Sequence, residues 1–583
     1  MPKLAGVYRA SAHKAKMHFL TLCLLCVSIL WSALVSADIK TVYPQYARSA
    51  DAENGAVATV HPLATQAAID VLNEGGNAID AAVAAALTLG VVDGHNSGIG
   101  GGNFALVRYA DGTIEALDGR ERAPLTAHRD MYIVNGEADS DLSQIGALAI
   151  GVPGSLAVYD HMQKASGTKS MAALLERAAD LAEKGFPLSN LLHNRIHWED
   201  EVLQEFPASA AIYLDKKGEP WPVGHQLVQK DLAETYRAIA RHGIGYFYGG
   251  DFAKTVEQWM VEHKGLLRVE DFKQYSISVR EPVVSDYRGY QVVGFPPPSS
   301  GGVHVAQILN MLAGFDIASL SDADRYHLLL EAMKLAFADR AHFLGDPDFV
   351  DVPKGLINPE YAKQLAAKID MKSAAKGVQH GHPPVDDGNF FTKHTTHIST
   401  ADKWGNWVSI TTTVNTPFGS KVIIPGTGVL MNNQMDDFSI QPGVANAFGL
   451  VGREANSVQP GKRPLSSMSP TLVLKDGKPM LSVGAAGGPM IITQVVQALV
   501  NILDLNMSAE QALSASRVHH QWLPNVSFVE GSMPEEVVKS LEQRGHEISF
   551  DTYGDTQAVM LRTSGKFESM SDPRVIEENY ESD

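Results

Sequence analysis

Two threonines carry the first chemical suggestion in this sequence. The run TTHISTADKWGNWVSITTTVN, which begins at Thr395, holds two stretches rich in Val, Ile, Thr and Trp on either side of Asp402-Lys403-Trp404-Gly405-Asn406, which is turn chemistry. A hairpin with its loop centred on Trp404 sets Thr395 opposite Thr413, their Cβ atoms roughly 4.5–5.5 Å apart. One hydroxyl is then within hydrogen-bonding reach of another, which is what a hydroxyl nucleophile asks of an orienting partner. The same pattern suits an ordinary solvated sheet face, because threonine favours strands whatever its neighbours do.

Other candidate chemistry is excluded by spacing. The cluster Ser97-Gly98-Ile99-Gly100-Gly101-Gly102-Asn103 precedes a strand-like FALVRYA instead of following one, so it is not a dinucleotide loop. The 21 histidines include no His-Glu-x-x-His, and neither His519-His520 nor His380-x-His382 has a convincing third ligand, so no catalytic metal and no cofactor are expected. With 48 Lys and Arg against 66 Asp and Glu, the net charge of −18 offers no footprint for nucleic acid.

The elements that must position such residues are legible in part. LATQAAIDVLNE reads as a helix closing at Gly75-Gly76, and Asn77 caps the alanine-rich AIDAAVAAALTLGVV. Strands are expected around Glu281–Phe295, at TLVLK and at MLSVGAAG, with a long amphipathic helix after Gly302 presenting Tyr326, Leu329, Leu330, Met333, Leu335 and Ala336 on or near one face. Lys372 to His394 is polar, rich in Gly and Pro, and without period. A cut near residue 394 divides a mostly helical part from a strand-rich part.

The chain has 583 residues, 45% hydrophobic and 20% charged, an ordinary globular composition. Residues 1–37 carry Lys3, Arg9, Lys14 and Lys16 without an acid, then an apolar run from Met17 to Leu34, then Val35-Ser36-Ala37. This is the grammar of a secretory leader cut before Asp38 and implies a periplasmic or secreted protein; a retained membrane anchor is the alternative. Cys23 and Cys26 both lie in that run, so a mature chain has no disulfide, zinc-thiolate site or Cys nucleophile.

Four motifs then occur in order: Thr395-Thr396-His397-Ile398-Ser399, Asn433-Gln434-Met435-Asp436-Asp437-Phe438, Arg463-Pro464-Leu465-Ser466-Ser467-Met468-Ser469-Pro470 and Ala486-Gly487-Gly488. With Arg120-Glu121-Arg122-Ala123-Pro124, Pro296-Pro297-Pro298-Ser299-Ser300-Gly301-Gly302 and Leu344-Gly345-Asp346-Pro347-Asp348-Phe349, they make the chain closely resemble the bacterial gamma-glutamyltranspeptidases. The resemblance implies an α+β fold, the four-layer αββα sandwich of the N-terminal nucleophile hydrolases. It also implies self-cleavage between His394 and Thr395 into a large chain, 38–394, and a small chain, 395–583, which stay together as a heterodimer. Thr395 becomes the nucleophile and Thr413 orients its hydroxyl. The amides of Gly487 and Gly488 form the oxyanion hole. Arg120, Ser466 and Ser467 hold the substrate carboxylate, while Asn415, Gln434 and Asp437 hold its ammonium.

The expected activity is transfer of the γ-glutamyl group from glutathione and related γ-glutamyl compounds to water or to amino acid or dipeptide acceptors. The alternatives are an amidohydrolase like the related cephalosporin acylases, or a non-enzymatic binding protein. Three departures from the resemblance bear on acceptor choice: Phe448 stands in a lid loop where a tyrosine is common, Gly119 replaces a bulky aromatic, and Arg122 adds a charge. Asp436 is expected to be structural.

Overall fold

The computed structural model describes residues 47–384, 396–444, 446–551 and 554–577. Two large sheets organise it. Before the proposed cut lie β1 (Ser49–Ala52), β2 (Gly55–Ala58), β3 (Gly102–Arg108), β4 (Ile114–Gly119), β5 (Ser278–Arg280), β6 (Val283–Tyr287) and β7 (Tyr290–Gly294). After it lie β8 (Thr396–Asp402), β9 (Trp407–Thr413), β10 (Thr471–Lys475), β11 (Lys478–Ala485), β12 (Thr556–Leu561) and β13 (Phe567–Ser571). The first sheet has seven strands in the order β1-β2-β8-β9-β3-β4-β5, and the second has six in the order β6-β7-β10-β11-β12-β13.

Side-chain alternation builds the layers. On β3, Phe104 and Leu106 point between the sheets, whereas Ala105 and Val107 point to the outer helices. The helices Pro62–Asn73 and Ala78–Val92 cover the first sheet, with Met171–Lys184 packed on Ala78–Val92; Gly301–Leu312 and Met490–Leu503 cover the second, with Asp322–Phe343 packed on Gly301–Leu312. The result is the expected helix-sheet-sheet-helix sandwich. Asn77 does cap Ala78–Val92, accepting from the Ile79 and Asp80 amides while Asp80 accepts from the Asn77 amide. The hairpin has the register set by a loop centred on Trp404, from Ala401↔Trp407 to Thr396↔Thr412.

Helices dominate before 394 and strands after it, as read, but the two parts are not separate units: β8 pairs with β2, β9 with β3 and β7 with β10, so each sheet takes strands from both sides. One expectation fails. The stretch after Gly302 forms two helices, Gly301–Leu312 and Asp322–Phe343, and the second is buried on every side from Tyr326 to Arg340. A helix roofed by others on all faces has no polar stripe to display. Of the irregular segment, 372–384 is described and holds no helix or strand. The leader and both residues of the expected scission, His394 and Thr395, lie outside the described residues.

Candidate active site

The site forms where β9, β4 and β11 end. Thr413 is the last residue of β9, fully buried and paired with Gly102 of β3; its hydroxyl accepts from the Asn415 amide at 2.7 Å. A Cβ on Gly101 would lie 1.8 Å from the Thr413 carbonyl oxygen, so the glycine cluster serves close backbone packing beneath β9. On the outer face of β8, Thr396 donates to Asp93 at 3.0 Å, and burial pushes Asp93 up to about 7.

Beyond Thr413 the chain turns through Asn415, at φ +85°, and Asn433 returns alongside, its amide bonded to the Val414 carbonyl. The short helix Gln434–Asp437 follows. Gln434 Nε2 donates to Asp437 Oδ2 at 2.7 Å, and Arg120 Nη2, arriving from the end of β4, donates to the same oxygen at 2.5 Å. Asn415 Oδ1, Gln434 Oε1 and Asp437 Oδ1 are buried acceptors with no hydrogen-bond partner among the described residues. Arg120 is fully buried, with Nε directed to the Pro464 carbonyl at 3.3 Å and Nη1 near Glu121 at 3.5 Å. Burial pushes Glu121 up to about 8 against the opposing pull of Arg120, so its carboxyl is mostly protonated at pH 7. Ser466 Oγ accepts from the Met468 amide at 3.3 Å, and Ser467 Oγ has no partner among the described residues.

Gly487 and Gly488 follow β11 at φ +111° and +66°, a turn that favours glycine, and lead into the helix Met490–Leu503. Asp555 and Gln494 fix the turn by bonding to the Ala486 amide and carbonyl.

The structure thus brings Arg120, Gln434 and Asp437 into one hydrogen-bonded cluster, with Asn415 held beside it by a bond from Nδ2 to the Asn433 carbonyl at 3.1 Å. It also shows a linker that no motif announced. Asn456 donates to the Asp437 carbonyl at 2.7 Å and accepts from the Leu465 amide at 3.0 Å, tying Asp437 to the segment carrying Ser466 and Ser467. A lone loop asparagine leaves no pattern to find. Asp436 accepts from Ser143 and from the Ala447 amide, a structural duty. Phe448 packs against the apolar core of the second sheet, and a Cβ on Gly119 would meet Val158 Cγ2 at 2.5 Å, leaving an aromatic no room there.

Among the described residues, His327, Glu331 and His546 are close enough to share a cation. Protein partners already take their ligand atoms: the Lys334 ammonium lies on Glu331 at 2.7 Å, the two rings bond to each other at 2.8 Å, and Asp370, Ala375 and Ser527 complete the set.

Comparison with known proteins places this chain in a family. The family model for gamma-glutamyltranspeptidase matches residues 64–581. A glutathione hydrolase proenzyme of Escherichia coli K12 is 43% identical over 533 residues, covering 90% of this chain and 91% of that protein. The crystal structure of a cephalosporin acylase from Bacillus halodurans superposes with TM-score 0.81 at 31% identity, covering 91% of this chain and 96% of that one. A Helicobacter pylori gamma-glutamyltranspeptidase chain gives TM-score 0.54 at 39% identity, covering 55% of this chain and 93% of its own length. The chain therefore belongs to the gamma-glutamyltranspeptidase family.

Proposed function

We propose that this protein is a gamma-glutamyltransferase and glutathione hydrolase that matures by cutting itself before Thr395. The sequence sets Thr395 opposite Thr413 in a hairpin centred on Trp404, and the described part of that hairpin, from Ala401↔Trp407 to Thr396↔Thr412, has the register this reading needs. The Thr395 hydroxyl adds to the His394 carbonyl, the peptide C–N bond breaks to leave an ester and a free amine, and water hydrolyses the ester. The new α-amino group has a pKa of about 7.7–8.0, against about 10.4 for a lysine, so it is a competent base near neutral pH. It takes the Thr395 proton as the hydroxyl attacks the γ-glutamyl carbonyl, and the Gly487 and Gly488 amides meet the oxyanion. The proton passes to the departing amine, and water or an amino acid or dipeptide then releases the acyl group. The two fragments remain one heterodimer, and residues 1–37 direct export to the periplasm or medium.

The observation that carries this reading is the set of unpartnered acceptors, Asn415 Oδ1, Gln434 Oε1 and Asp437 Oδ1, beside the buried Arg120–Asp437 pair. A head group with one ammonium and one carboxylate replaces that pair charge for charge, and it supplies the missing donors. The likeness to a cephalosporin acylase favours a second reading, an acyl group without the α-amine, which would leave those acceptors unsatisfied.

A denaturing gel with mass analysis, alongside turnover of γ-glutamyl and glutaryl anilides, tests the proposal. Two fragments, the smaller starting at Thr395, and preference for the γ-glutamyl anilide are expected. Thr395→Ala should stay uncut and lose at least about 10³-fold in kcat/KM. A cut and active Thr395→Ala variant would overturn the mechanism, and preference for glutaryl would move the enzyme to the acylases.

A further inference from the structure

Arg340 has no place in the chemistry above, yet its surroundings are unusual for a cation. It lies near the end of the helix Asp322–Phe343 with 2% exposure, and its single hydrogen bond among the described residues runs from Nε to Ser300 Oγ at 3.2 Å. Nη2 is buried without a partner. Arg340 lines a small cavity with Asp437, Asn456 and Leu465, and the Asp437 carboxylate favours its protonated form. A buried charge without an ion partner is expensive, so a fold keeps one for a reason other than cohesion.

Ser300 shows what that reason is. It ends the Pro296–Ser300 run, and both its amide, at 3.3 Å, and its hydroxyl, at 3.0 Å, donate to the Ser466 carbonyl. Its neighbour Ser299 bridges to Ser466 and donates to the Met468 carbonyl. The hydroxyl of Ser300 has one proton. By donating to Ser300 Oγ, the guanidinium commits that proton to Ser466 and strengthens the bond it makes.

We propose that Arg340 is a positioning residue for substrate: acting through Ser300, it fixes the Ser466–Ser467 segment so that its hydroxyls meet the α-carboxylate of the γ-glutamyl group. This rests on the γ-glutamyl reading of the site. It also gives the Pro296–Gly302 motif a task, since that motif supplies the relay and touches no reacting atom.

The test uses the processed wild-type enzyme and the variants Arg340→Gln, Ser300→Ala and their double. It reads kcat and KM for γ-glutamyl anilide, and inhibition constants for L-glutamate and for 4-aminobutyrate, which is glutamate without its α-carboxylate. Each single variant should raise KM and the glutamate constant about tenfold, with kcat within about threefold and the 4-aminobutyrate constant unchanged. The double variant should be no worse than Arg340→Gln, because both changes break one relay. Should Arg340→Gln fail to mature, Ser300→Ala carries the same comparison. Unchanged KM, or equal loss toward glutamate and 4-aminobutyrate, would overturn the assignment. A wild-type enzyme inert toward γ-glutamyl anilide would instead remove the activity reading, so the two failures are distinct.

Discussion

The layer between the sheets has two characters. In one part Phe104 of β3 stacks on Phe295 at 4.2 Å, with Trp407, Leu472 and Leu474 around them. Beside it, where β8 and β9 face β10 and β11, apolar side chains give way to a buried polar network. His397 bonds to Thr411 and to Ser399, each at 3.0 Å; Ser399 bonds to Ser482 of the opposite sheet at 2.8 Å; and Ser409 accepts from the Thr471 amide at 3.1 Å. Apolar contacts are non-directional and resist separation of the sheets without fixing their alignment. Hydrogen bonds have a distance and an angle, so the polar part sets how the sheets align. Alignment matters there, because β9 leads to Thr413 and β11 leads to Gly487, on different sheets.

The sharpest way to break this contrast is in the apolar part. Trp407→Ala should cost about 3–5 kcal/mol of stability, read as a lowered denaturation midpoint, while the folded and processed fraction keeps its kcat. In the polar part the order should reverse. His397→Ala leaves Ser399 and Thr411 short of a partner, and it should lower kcat about tenfold or more with a smaller loss of stability. Retained kcat in that variant would show that the network does not align the site.

A smaller effect separates the faces of the first sheet by pH. Between the sheets, burial pushes His397 down to about 3 from 6.5, so this group favours folding above about 6.5, and that contribution is lost as pH falls toward 3. On the outer face, Asp93 is raised from 3.8 to about 7, so its contribution is present below about 4 and is lost as pH rises toward 7. Asp93→Asn should therefore flatten the decline in stability across pH 4–7, and His397→Gln should flatten the decline below 6.5. Thermal midpoints measured at each pH read both slopes, and unaltered slopes would remove these two groups as their source.

How much of this was legible depended on range. The capping of Ala78–Val92 by Asn77 and the register of the Trp404 hairpin rest on neighbours a few residues away, and both are found as read. The pairing of β2 with β8 and of β7 with β10 spans hundreds of residues, and nothing in local periodicity names a partner. Asp322–Phe343 was misread for the same reason: a stripe is visible in sequence, but the neighbours that cover the other faces are not. In the site, motifs gave Arg120, Gln434 and Asp437 and included Ser300 without a task, whereas Asn456 and Arg340 emerge only when distant segments meet.

The interleaving of the sheets also governs the life of the mature molecule. With β8 and β9 seated between β2 and β3, and β7 ladder-bonded to β10, the proposed scission before Thr395 would sever the polymer without freeing either piece. The fragments would then part only when both ladders are torn. Maturation would for this reason be a one-way passage: a nicked molecule that unfolds would have lost the covalent continuity that first brought its strands together.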